Sequence, residues 1–125
     1  MPPLLLVMLG GAIGAGFRYQ CGAIALRLFG PGFPWGTLIV NLLGGLLMGT
    51  LAGTLAREIN GGEPLRLLLG VGVLGGFTTF SAFSLETFNM LQRGQPGTAA
   101  VYAAASVVGS VLALALGVTL TRALP

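Results

Sequence analysis

No charged side chain occurs between Arg27 and Arg57, so the run from Leu28 to Ala56 is wholly uncharged. Similar runs extend from Leu67 to Leu85 and from Gly94 to Thr121, with a shorter one from Met1 to Phe17. A helix that crosses a bilayer needs about 20 mainly apolar residues, and each of these segments comes near or exceeds that length. The breaks carry turn chemistry. Gly30-Pro31-Gly32-Phe33-Pro34, Asn60-Gly61-Gly62-Glu63-Pro64 and Arg93-Gly94-Gln95-Pro96-Gly97 hold the residues that remove helix donors or admit unusual dihedrals. The pattern predicts an all-α membrane protein with four transmembrane helices over roughly 4–28, 35–57, 65–92 and 98–121. These spans consume nearly all of the 125 residues, so residues 1–125 read as one transmembrane domain with no soluble domain attached.

Composition decides the same question independently. Hydrophobic residues make up 54% of the chain and charged residues 7%, whereas soluble surfaces are typically about a quarter to a third charged. Lipid-facing surface needs no charge. Every positive residue is Arg and every negative one is Glu. A net charge of +3 without a clustered basic face gives no footprint for nucleic acid. Cys21 is the sole cysteine, which excludes an intrachain disulfide and a cysteine zinc site. With no His, no Asp and no nucleophile beside a base, an enzyme is not indicated. Met1-Pro2-Pro3 before Leu4-Leu5-Leu6 lacks the positive n-region of a cleaved signal peptide, so the first apolar segment is expected to be a retained helix.

Twenty-two glycines would weaken helices in water, but in lipid small residues let helix backbones approach. Gly10 and Gly14, and Gly45, Gly49 and Gly53, recur every four residues and so share a helical face. Gly70-Val71-Gly72-Val73-Leu74-Gly75 matches a dinucleotide-binding pattern by letter only. That motif needs a preceding strand in a βαβ unit, and here it lies inside an apolar helix.

Orientation is normally set by excess Lys and Arg in cytoplasmic loops. With four spans both termini share a side with the second loop, and that side gathers Arg57, Arg66 and Arg122. The other side has Arg27 and Arg93, joined by Arg18 if its side chain snorkels. The balance leaves two readings open: a weak bias that suffices, or insertion in both orientations with head-to-tail pairing about an axis in the membrane plane.

Polar residues within the spans are costly and mark packed interiors or water-filled paths. Arg18 lies deep in the first span and Asn41 in the second. The third contains Gly75-Gly76-Phe77-Thr78-Thr79-Phe80-Ser81-Ala82-Phe83-Ser84. Paired glycines and β-branched threonines make a poor helix interior, so a break is expected there, freeing carbonyls that persist in a membrane only when buried in protein or bound. Phe80 and Phe83 are three apart. Their ring edges carry positive potential and can favour an anion without a formal charge, although phenylalanines at this spacing also serve as plain core. Tyr102, Ser106 and Ser110 form one polar stripe on the fourth helix; serines there can equally bond their own backbone.

Taken together, Gly36-Thr37-Leu38 leading to Asn41-Leu42-Leu43-Gly44, the Gly75–Ser84 segment, Arg18-Tyr19 and Glu86 resemble the Fluc (CrcB) family of fluoride channels over essentially the whole chain. The resemblance implies an antiparallel (inverted) homodimer with two fluoride pores in the cell inner (plasma) membrane, giving passive export of cytoplasmic fluoride and hence fluoride resistance. It implies that Asn41, Phe80 and Phe83 line the path with Tyr102, Ser106 and Ser110 beside it, and that Arg18 lies towards a vestibule. It also implies a structural Na+ at the dimer interface, held by the main-chain carbonyls of Gly75 and Thr78 from both subunits. The partners are then fluoride, a second copy of the chain and the lipid bilayer. Relatives often extend the stripe by another hydroxyl, whereas the next turn here is Leu114. The alternative is a small multidrug-resistance-type proton-coupled transporter. Such a transporter needs a carboxylate in its first helix, and the first acidic residue here is Glu58.

Overall fold

The computed structural model describes residues 1–57 and 62–124, and among these the regular structure is entirely helical. Helix α1 is Pro3–Phe29 and α2 is Trp35–Leu55. The third span holds two helices, α3 over residues 63–77 and α4 at Phe80–Gln92, and α5 is Pro96–Ala123. Pro3–Phe29, Trp35–Leu55, Glu63–Gln92 and Pro96–Ala123 are each long and apolar enough to cross a membrane.

The helix ends follow from proline chemistry. Of the turn expected from Asn60 to Pro64, Asn60 and Gly61 lie outside the described residues, as does Glu58. Glu63 and Pro64 begin α3 instead of closing a loop, and Pro96 and Gly97 begin α5. A proline in the first helical turn gives up an N–H that has no intrahelical partner anyway. Helix α2 stops at Leu55, a little short of the expected end. Beyond it the Arg57 guanidinium donates to the carbonyls of Thr121 and Leu124, supplying donors that the C-terminus of α5 otherwise lacks.

Glycine determines which helices touch. A Cβ on Gly45 would stand 2.8 Å from the Ser110 carbonyl oxygen, and one on Gly49 would run into that of Leu114. Helix α2 therefore lies backbone to backbone on α5. Likewise a Cβ on Gly14 would strike the Val73 carbonyl, and one on Gly72 would stand 2.9 Å from the Gly10 Cα, which seats α1 on α3. Residues Arg66–Leu74 of α3 wind as a π-helix, with the Gly75 N–H reaching back to the Gly70 carbonyl. Apolar periodicity gave no sign of this wider winding, which is rare and concentrates at functional sites.

The apolar surface is turned outwards. Leu4, Met8, Val111, Leu112 and Leu116 are exposed, while among the described residues a small buried cluster gathers Leu38, Met90, Ala99 and Tyr102, with Phe33, Leu42, Phe83 and Ala105 packed on it. Patches of this extent are unsuited to a soluble monomer and ordinary for a protein solvated by lipid.

Candidate functional site

The centre of the third span is built by side chains far away in sequence. Thr78 (φ −83°, ψ 159°) and Thr79 (φ −150°, ψ 123°) are extended between α3 and α4. Asn41 of α2 clamps the second of them. Its Oδ1 accepts from the Thr79 N–H at 2.8 Å, and its Nδ2 donates to the Thr79 carbonyl at 3.0 Å. The Thr79 hydroxyl accepts from the Ala82 N–H at 3.2 Å and so caps α4, the usual task of a threonine at a helix start. Arg18 of α1 donates through Nε to the Gly76 carbonyl at 3.1 Å.

These bonds redirect donors. In a continuous helix the N–H groups of Thr79 and Ala82 would serve the carbonyls of Gly75 and Thr78. Both are committed elsewhere, to Asn41 and to the Thr79 hydroxyl, which leaves two main-chain oxygens without their helical partners. Among the described residues no group of three or more His, Cys, Asp or Glu side chains is placed to bind a metal. Main-chain oxygen is the ligand type this segment offers.

Beside the clamp lies a groove of ≈ 410 Å³ between α2, α4 and α5, lined by Asn41, Thr78, Thr79, Phe80, Phe83, Ser106 and Ser110 together with glycines and aliphatic side chains including Leu114. No formally charged residue lines it. The Phe80 and Phe83 rings are 5.5 Å apart at 48°. Phe80 is 77% exposed, so it faces outwards from this single chain. Ser106 is buried, and its Oγ has no hydrogen-bond partner. Buried hydroxyls are nearly always satisfied, so this one is available to something entering the groove.

Three of the expected site residues do not line this groove: Gly75, expected as a cation ligand, Arg18, expected towards a vestibule, and Tyr102. Tyr102 is fully buried behind Phe83, with ring centroids 5.2 Å apart. Arg18 lines a second cavity of ≈ 350 Å³, which includes Thr37 and Thr79. Thr79 borders both cavities, so the residue that Asn41 clamps stands between them.

A polar cluster was missed by reading the stripe alone. Thr37 Oγ1 donates to Glu86 Oε1 at 2.6 Å, and the Tyr102 hydroxyl donates to the same oxygen at 3.4 Å. Two signals for it were present. Thr37 is one helical turn before Asn41, and Glu86 closes an otherwise uncharged run. The carboxylate joins α2, α4 and α5 at one level.

Comparison with known proteins identifies the family of the chain. A family model described as "CrcB-like protein, Camphor Resistance (CrcB)" matches residues 5–118. A protein of Sphingopyxis alaskensis named "Fluoride-specific ion channel FluC" is 55% identical over 125 residues, covering 100% of this chain and 99% of its own length. Proteins of the same name from Novosphingobium aromaticivorans and Caulobacter vibrioides are 56% and 53% identical. The first alignment covers 93% of each chain, and the second covers 98% of this chain and 97% of the relative. With a family model spanning the helical bundle and relatives matching end to end, the chain belongs to the CrcB-like family.

Proposed function

We propose that this chain is a fluoride-selective channel of the inner membrane, working as an inverted homodimer that lets cytoplasmic fluoride leave passively. The observation that carries the reading is the uncharged groove, in which Asn41, Phe80, Phe83, Ser106 and Ser110 meet and one buried hydroxyl lacks a partner. Fluoride is small and strongly hydrated, so a path for it must offer donors in place of water. Hydroxyls and ring edges do so weakly enough for the ion to leave, which conduction requires. An inside-negative potential contributes about 2.3 kcal/mol per charge per 100 mV and drives an anion outwards without another energy source. The relatives' name supports the choice of ion. Purified protein in liposomes is expected to release fluoride and retain chloride; equal release of both, or of neither, would overturn the reading.

The dimer is supported by what the single chain leaves open. Gly75 and Phe80 are both exposed on the third span, and the arginine tally is nearly even across the membrane. We expect insertion in both orientations. A cysteine introduced near the C-terminus in a Cys21→Ala background should be labelled in comparable amounts from either side. Labelling from one side alone would exclude the inverted arrangement.

The same face suits a cation. The carbonyls of Gly75 and Thr78 lack their helical donors, and unwound carbonyls are the sodium ligands of many membrane transporters. Two copies related by a two-fold axis would contribute four such oxygens, so the ion would stabilise the dimer centre. Because the ligands are main-chain oxygens, Thr78→Ser should keep the ion. An anomalous-scattering experiment with a heavier monovalent cation should show one peak on the axis, and an empty centre would exclude the site.

A further inference from the structure

The loop between α1 and α2 is tightly determined. Gly30 adopts φ 75°, ψ −179°, a region open essentially only to glycine. Pro34 sits at φ −79°, ψ 65°, and the Trp35 N–H donates to the Phe33 carbonyl at 2.8 Å, the geometry of an inverse γ-turn. The Pro34 carbonyl in turn accepts from the Leu38 N–H at 3.2 Å. The backbone of Phe33 is thereby fixed to the start of the helix that carries Thr37 and Asn41.

Its ring is fixed as well. Phe33 lies 4.8 Å from Trp35 on one side and 5.4 Å from Tyr102 on the other, meeting Tyr102 edge to face at 84°. Tyr102 is fully buried and has Phe83 as its other ring neighbour. Its hydroxyl reaches Glu86 at 3.4 Å, close to the limit of a useful hydrogen bond. A contact that long tolerates little lateral displacement of the phenol, so the ring needs a wall on each side. Phe83 provides one wall and lines the groove. Phe33 provides the other.

We propose that Phe33 is a positioning residue for conduction, acting through Tyr102: its ring holds the phenol where the hydroxyl meets Glu86. The inference rests on the fluoride-channel reading above. Phe33 lies outside the groove and touches no conducted ion, so its effect is indirect and must vanish when the Tyr102 hydroxyl is absent.

The test is fluoride efflux from liposomes containing Phe33→Leu, Tyr102→Phe and the double variant, with assembly checked by size-exclusion chromatography. Phe33→Leu is expected to assemble as wild type and to lower efflux about fivefold, the scale of losing one edge-to-face ring contact. Phe33→Met, whose flexible side chain fills irregular gaps, replaces it if the leucine variant does not assemble. At least one ring-bearing substitution, Phe33→Tyr or Phe33→Trp, should stay within about twofold of wild type if ring contact is what matters. Adding Phe33→Leu to Tyr102→Phe should cause no further loss, because residues acting through one group are not additive. Normal efflux in Phe33→Leu, normal efflux in Tyr102→Phe, or losses that multiply would each overturn the inference while wild type still conducts. A wild type that conducts no fluoride would overturn the channel reading itself.

Discussion

Phe80→Ile and Phe83→Ile are each expected to assemble as wild type and to pass fluoride at least about tenfold more slowly, as if a barrier rose by 1.4 kcal/mol. The expectation turns on the ring quadrupole. An aromatic edge presents positive potential to an anion, and a branched aliphatic side chain of related bulk does not. Packing within the protomer should change little at Phe80, whose side chain is 77% exposed there. Phe83 touches both Phe80 and Tyr102, so its replacement also gives up a ring contact worth about 0.5–1.5 kcal/mol. The two variants therefore separate the effects: comparable losses of efflux with unequal losses of stability point to the rings as ligands. Rings that only pack would give the reverse, with Phe80→Ile conducting normally and Phe83→Ile merely less stable. Fluoride-electrode efflux assays beside thermal unfolding of the purified assembly measure both quantities.

The spans were legible because charge is so scarce. Arg27, Arg57, Arg66, Arg93 and Arg122 all fall at or near helix ends, so the uncharged runs between them mark the helices almost directly. Proline was the weaker guide: Pro64 and Pro96 read as helix breakers, yet both stand in first turns, where a missing N–H costs nothing. Gly45 and Gly49 reported their contact face through spacing alone. The local composition of Gly75–Thr79 marks a weak point in a helix, but which residues leave helical geometry is set from outside by Asn41 and Arg18, 38 and 58 positions away. The groove shows the same division. Asn41, Phe80, Phe83, Ser106 and Ser110 were visible as polar or aromatic residues in apolar runs, and packing brings them together. The place of Tyr102 behind Phe83, and its link through Glu86 to Thr37, depends on how α2, α4 and α5 meet, and no single-helix pattern contains that information.

The Asn41 clamp gives the second large expectation: Asn41→Asp should reduce fluoride efflux to the level of protein-free liposomes near neutral pH and regain part of it as pH falls. The amide uses both of its ends, accepting from the Thr79 N–H and donating to the Thr79 carbonyl. A carboxylate keeps the acceptor but sets a second oxygen against the carbonyl oxygen, now 3.0 Å from Nδ2. One favourable bond becomes a repulsion, and the Thr79 carbonyl is left unpaired within the span, a loss of about 1–3 kcal/mol. The same substitution adds a negative charge to a groove proposed to carry an anion, which opposes entry in low-dielectric surroundings. Protonating the introduced carboxyl removes that charge and supplies an O–H donor for the Thr79 carbonyl, so both defects ease together at low pH. Protein-free liposomes measured at each pH give the leak of hydrogen fluoride to be subtracted. Asn41→Ala separates the two causes: it breaks both bonds to Thr79 without adding charge, so its efflux should be low at every pH and its assembly less stable than wild type. An aspartate variant that conducts normally at neutral pH would remove Asn41 from the path, and an alanine variant of undiminished stability would show that the clamp does not hold the third span.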